Sequence, residues 1–168
     1  MCIRDSTFPV QATEILGREA NASGFNFGAM PEDLKGTVDS ILFIRALHNL
    51  NRSGDEYFGA ALTDAMNILK PGGVLGVVQH RAPEGAADAS AIGERGYLKQ
   101  SHVIAVMENA GFVFEEASEI NANPNDVPGD EDAVWRLPPT LGMGDKDRDT
   151  FIAIGESDRM TLRFRKPE

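Results

Sequence analysis

The run Val38-Asp39-Ser40-Ile41-Leu42-Phe43-Ile44 constrains this chain more than any other stretch. Its apolar residues are continuous rather than alternating, which predicts a strand buried on both faces, the habit of parallel sheets. A parallel strand must reach its neighbour through a crossover, usually a helix. That helix is legible downstream. Ser53 with Glu56 three residues later reads as a capping box, and Phe58, Leu62, Ala65, Met66 and Leu69 recur at helical spacing. Lys70 suits the helix end, Pro71 forbids continuation, and Gly72-Gly73 permit the positive φ of an exit. Val74 to Val78 then forms a second buried strand. Strand, helix and strand within about 40 residues make a right-handed βαβ unit.

Around this unit the chain reads as alternating elements. Pro9 to Ala20 has helical spacing, with proline near its first turn. Phe25 to Ala29 is a short strand candidate stopped by Pro31, and Pro31 to Thr37 is turn-like. Residues 81–96 read as a surface loop. Tyr97 to Asn109 is an amphipathic helix with Val103, Ile104, Val106 and Met107 inward, ended by Ala110-Gly111. A third strand begins at Phe112-Val113-Phe114. Asn121 to Arg148 is long, turn-rich and acidic, the pattern of a lid or an unstructured connection. Residues 149–155 fit either strand or helix. Met160 to Arg165 alternates strictly, as a strand with one wetter face does.

Composition narrows the partners. The net charge is -10, with 26 acidic residues against 16 basic ones. Nucleic acid needs clustered Lys and Arg, so a small molecule is the expected substrate, with a basic protein as the other possibility. No apolar run approaches the ~18 residues of a membrane span. Cys2 is the one cysteine, which excludes a disulfide framework and a cysteine-rich zinc site. Asp145, Asp147, Asp149 and Glu156 mimic a calcium loop, but Thr150 stands where its sharp turn demands glycine. No metal is expected. Residues 1–6 read as a non-native leader ahead of a single domain over 7–168, with the acidic loop at 121–148. The natural N-terminus, and any export signal, is expected upstream. The location is cytoplasmic by default, and the oligomeric state is open.

Leu47-His48-Asn49-Leu50 after a strand, then Leu69-Lys70-Pro71-Gly72-Gly73 before the next, resembles the second half of a class I S-adenosylmethionine-dependent methyltransferase. Ala110-Gly111-Phe112 resembles that superfamily's helix exit. Ser118 to Pro124, Trp135 to Pro139 and Gly155 to Pro167 resemble an uncharacterised bacterial family of such proteins. The resemblance implies an incomplete Rossmann-like α/β sheet, ordered 3-2-1-4-5-7-6 in the whole superfamily, with an antiparallel last strand and helices on both faces. On that map Phe25–Ala29 is strand 3, Val38–Ile44 strand 4, Val74–Val78 strand 5, Phe112–Ile120 strand 6 and Met160–Arg165 strand 7. The superfamily's Gly-x-Gly-x-Gly turn has no counterpart here. The chain therefore reads as a C-terminal portion whose S-adenosylmethionine binding is impaired.

In open α/β sheets ligands bind beyond the carboxyl ends of the strands. That rule selects Arg45, Ala46, His48 and Asn49 after one strand, and His80 and Arg81 after its neighbour. His48 is the candidate proton acceptor, its ordinary pKa lying near neutrality, or else a packing residue under the next helix. Arg45 and Ala46 are expected beside the cofactor. By resemblance, Gly28 and Ala29 would lie against its adenine. Asn49, His80, Arg81, Tyr97 and Trp135 are the substrate-side candidates, Trp135 with Pro138-Pro139 forming a rigid apolar cover. Methyl transfer to a small molecule is the leading expectation. A nicotinamide-dependent oxidoreductase on a similar sheet, or a non-catalytic interaction module with a free sheet edge, are the alternatives.

Overall fold

The run at 38–44 forms strand β1 (Val38–Ile44), which pairs in parallel with β2 (Leu69–Ala82) across helices α2 (Leu47–Arg52) and α3 (Asp55–Ile68). The computed structural model describes residues 8–19 and 22–168. The leader and Ala20 lie outside them. Ahead of β1 stand the helix α1 (Phe8–Leu16) and a 3-10 turn at Glu32–Leu34. Beyond β2 come β3 (Leu98–Lys99), α4 (Gln100–Asn109), β4 (Val113–Ser118), α5 (Arg148–Ile154) and β5 (Arg159–Arg165). The main sheet runs β1-β2-β5-β4, and β3 adds a short parallel pairing to β2. Strand β5 is antiparallel to both of its neighbours. This order reproduces the 4-5-7-6 portion of the expected sheet.

One face of the sheet carries the core. Register aligns Phe43 with Val77, Val77 with Leu162, and Leu75 with Phe164. These residues join Phe58, Leu62 and Ala65 of α3 and Val103 and Met107 of α4 in one cluster. Each such large side chain contributes about 1.5–3 kcal/mol by leaving water. The opposite face is different from the sequence expectation. Leu42 is 68% and Ile44 56% exposed, so β1 is buried on one face only among the described residues.

Phe25–Ala29 is not a strand. Ala29 N–H donates to the Asn26 carbonyl (2.9 Å), and Gly28 sits at φ 83 with its N–H on Asp64 Oδ2 of α3 (2.6 Å). Phe27 meets Tyr57 edge-on at 5.6 Å. Phe27 thus packs on α3.

The expected capping box is also replaced. Ser53 closes α2, its hydroxyl donating to the Asn49 carbonyl (2.8 Å), and Gly54 at φ 101 turns the chain into α3. Asp55 and Glu56 then lie in the first turn of α3, where negative charge suits the helix dipole. Helix α3 stops at Ile68, and Lys70 to Gly73 bulge out of register between the Val38–Leu69 and Ser40–Val74 pairs. The bulge is tied to the far strand, with Gly72 N–H on the Lys166 carbonyl (3.0 Å) and Lys166 N–H on that of Gly73 (2.9 Å).

Residues 81–96 are less of a surface loop than expected. Strand β2 continues to Ala82, and Ala91 and Tyr97 are buried. Helix α4 begins at Gln100 because Tyr97 turns inward rather than opening the helix. The acidic segment is folded over this end of the sheet, and residues 148–154 are helical. No helix among the described residues is long and apolar enough to cross a membrane.

Candidate functional site

Arg45 ends β1 in an unusual conformation. Its φ is 53, in the left-handed region that costs a non-glycine residue energy and recurs at functional sites. Its N–H is held by the Val78 carbonyl of β2 (2.7 Å). This turn redirects the chain into α2, whose first intrahelical bonds accept at the Ala46 carbonyl. One residue into α2, His48 is buried at the sheet end, while Asn49 is exposed.

The end of β2 supplies the opposite wall. His48 and His80 ring centres lie 5.6 Å apart, and Trp135 stands edge-on to His48 at 6.1 Å. Together with Ile44, Arg45, Asn49, Pro138, Pro139, Glu156, Ser157 and Arg159 they enclose a cavity of about 290 Å³. Arg45 and His80, from the tips of neighbouring strands, thus border one pocket. Arg159 arrives on β5, whose antiparallel register sets it opposite His80, and Ser157 lies just ahead of the strand.

Gln79 organises the histidine. It is fully buried and alternates to the face opposite His80. Its Nε2 donates to the Gly96 carbonyl (2.8 Å), and its amide lies 3.2–3.3 Å from His48 Nδ1. When Nδ1–H donates to Gln79 Oε1, Nε2 is left with a free lone pair. His80 Nδ1 meets the Ser157 hydroxyl at 2.6 Å. Burial draws the His48 imidazole below its ordinary 6.5, against the Gln79 bond and with help from Arg52 and Arg45. His80 is drawn down to about 3, by burial first and then by His48, Arg159 and Arg45. Both rings are therefore neutral at neutral pH.

A second polar cluster lies behind the first. Tyr97 hydroxyl donates to Asp126 (3.0 Å) and accepts from Arg136 Nη1 (2.8 Å), while Arg136 Nη2 donates to the same carboxylate (3.0 Å). Asp126 also accepts from the Asp158 N–H (3.0 Å). Burial, and then the Asp126 carboxylate, push the Tyr97 phenol above its ordinary range. The His80 and Tyr97 rings meet at 6.3 Å, so this clamp abuts the cavity. Arg136 belongs to the same turn as Trp135, so the clamp also anchors the cavity's cover.

The other sequence candidates lie elsewhere. Arg81 turns away, forked onto Glu119 (3.0 and 2.7 Å) and Asp158 (2.8 and 3.0 Å). Tyr97 contributes a ring contact behind His80 and no cavity wall. Ala46 begins α2 without lining the cavity. Gly28 and Ala29 are exposed beside α3, away from the pocket. Gln79, Ser157 and Arg159 were not singled out from sequence. An antiparallel last strand predicts that residues just before Met160 reach the tip of β2, and that signal points to the latter two.

No family model matches the chain, and no curated protein matches it. Solved structures do. A putative sarcosine dimethylglycine methyltransferase from Galdieria sulphuraria superposes with a TM-score of 0.59 at 14% identity, over 94% of this chain and 64% of its own. The [4+2]-cyclase SpnF gives 0.58 at 15%, over 94% and 60%. A 1,6-didemethyltoxoflavin-N1-methyltransferase from Burkholderia thailandensis, solved with 1,6-didemethyltoxoflavin and S-adenosylhomocysteine, gives 0.53 at 11%, over 95% and 56%. The chain thus spans less than two thirds of each. It has the Rossmann-like α/β fold that these three structures share. Their names cover more than one reaction, so the reaction must be argued from the pocket.

Proposed function

We propose that this chain builds the acceptor side of a site for methyl transfer from S-adenosylmethionine to a small molecule. The observation that carries the reading is the convergence of Arg45, His48 and His80 from adjacent strand tips under Trp135. S-adenosylmethionine, when bound, supplies an electrophilic methyl group. Ile44 fits its thioether or purine, being an apolar side chain left 56% exposed at the cavity wall. Arg45, on the same wall, is the other residue that would border it.

The protein's part is alignment and proton removal. Trp135, Pro138 and Pro139 cover the acceptor and restrict water. Asn49 and His80 bound it from the sides. His48 Nε2 takes the acceptor's proton, with Nδ1–H held by Gln79. Depressed basicity suits this task, because a nitrogen or oxygen that gains a methyl group becomes cationic and gives up its proton to a weak base. Arg81 and Tyr97 lie outside the cavity and do not touch the acceptor.

Two measurements test the reading. Calorimetry with S-adenosylhomocysteine is expected to register binding, and absence of heat at high ligand concentration removes the proposal. With an acceptor in hand, His48→Ala is expected to slow transfer by roughly 10²–10⁴-fold while S-adenosylhomocysteine binding persists.

A further inference from the structure

The cavity is cationic in a molecule whose net charge is -10. Arg45 stands at its mouth, and its guanidinium has no hydrogen bond or ion pair among the described residues. Arg159 lies on the facing strand, and its Nε is buried without a partner. Glu156 is the one acid on the cavity wall, and it is already paired with Arg159 through Nη2. By contrast Arg81, Arg95, Arg136, Arg163 and Arg165 are each paired with carboxylates. The buried Arg159 Nε calls for an acceptor, because a buried donor left unpaired is costly, and the exposed Arg45 guanidinium supplies a second unengaged charge at the cavity mouth.

We propose that the cavity takes a small acid, its anionic head group held between Arg45 and Arg159 and its flat apolar body against Trp135 and Pro138-Pro139. This names the substrate class of the methyl-acceptor site and rests on that reading. A guanidinium fork matches a carboxylate or a phosphate and stays charged at any relevant pH. The volume, about 290 Å³, admits a single substituted ring rather than a polymer. The left-handed turn at Arg45 now has a purpose. It sets Arg45 at the cavity mouth, and the Val78 carbonyl holds the turn through the Arg45 backbone N–H.

Trp135 is the chain's one tryptophan, so its fluorescence reports on the cavity directly. The probes are benzoate, phenyl phosphate and the neutral benzamide, added to the protein without cofactor. Saturable fluorescence changes are expected with the acids, at least about tenfold tighter than with benzamide, the size of one charge-assisted bond. Arg45→Gln and Arg159→Gln are expected to bring the acids down to benzamide's affinity, whereas Lys35→Gln leaves them unchanged. Benzoate ahead of phenyl phosphate assigns a carboxylic acid, and the reverse order a phosphate ester. Equal affinity for all three probes, no response to any, or indifference to Arg45→Gln overturns the proposal. Should Arg159→Gln misfold, Arg45→Gln alone decides, since that side chain is exposed. S-adenosylhomocysteine titration separates the two ideas. Its binding without a preference for acids removes the acid alone, and acid binding without it removes methyl transfer alone.

Discussion

Two arginine-bearing clusters meet at the His80 ring, and they are built on opposite plans. In the clamp, Tyr97, Asp126 and Arg136 are all buried, and their donors and acceptors meet one another. In the cavity, Arg45 has no partner among the described residues, and Arg159 and His48 each keep a nitrogen unengaged or free to engage. Closed networks give rigidity, because every buried polar group is satisfied. Open ones wait for a ligand. The contrast says which residues can change without unfolding the protein.

Substitution should break that contrast most sharply at the clamp. Arg136→Met leaves the Asp126 carboxylate buried and unpaired and is expected to cost about 3–5 kcal/mol in denaturant unfolding. Denaturant midpoints within error of the parent would show the clamp to be dispensable. Gly93 is the next most sensitive position. It has φ 96, and a Cβ there would come 2.7 Å from the His48 carbonyl oxygen. Gly93→Ala is expected to cost about 1–3 kcal/mol and to displace the His48 ring, seen as a changed imidazole signal by NMR.

Acid provides a smaller and reversible test. His80 takes a proton near 6.5 in the unfolded chain and near 3 in the fold. Between those values the unfolded state binds more protons, so stability is lost as pH falls below 6.5. Above neutrality both states are unprotonated and the effect vanishes. The ion-paired carboxylates Glu115 and Glu119 do not take up protons until lower pH. Melting temperature is therefore expected to drop between pH 7 and 5, and His80→Asn to flatten that slope. A slope unchanged in the variant would assign it to another group. The smallest effect is expected at Arg45, where Arg45→Gln should alter stability by less than about 0.5 kcal/mol.

Much of the sheet was readable in sequence because apolar spacing carries it. Val38 to Ile44, the Phe58–Leu62–Ala65 face and the alternation from Met160 all reappear as elements. Phe25–Ala29 misled because one exposed aromatic packs on a helix as readily as it pairs in a strand. Ser53 misled because the same hydroxyl can close one helix or open the next, and here it closes α2. The exposed face of β1 was hidden because a run of apolar residues does not say what covers it. At the site, the rule of strand carboxyl ends located Arg45, His48 and His80. It did not separate Arg81, which acids at 119 and 158 draw elsewhere. Arg159 meets His80 by register across β2 and β5, with Ser157 just ahead of it, and register depends on pairing partners rather than local composition.

The placement of β5 has a consequence for how the protein is made. It is interior in space, between β2 and β4, yet it follows both in order of translation. Strands β2 and β4 therefore emerge from the ribosome with a gap between them. They must wait, apolar edges open, until residues through Arg165 have been synthesised and can slide into place. Until that insertion the nascent chain exposes strand edges of the kind that invite pairing with other chains.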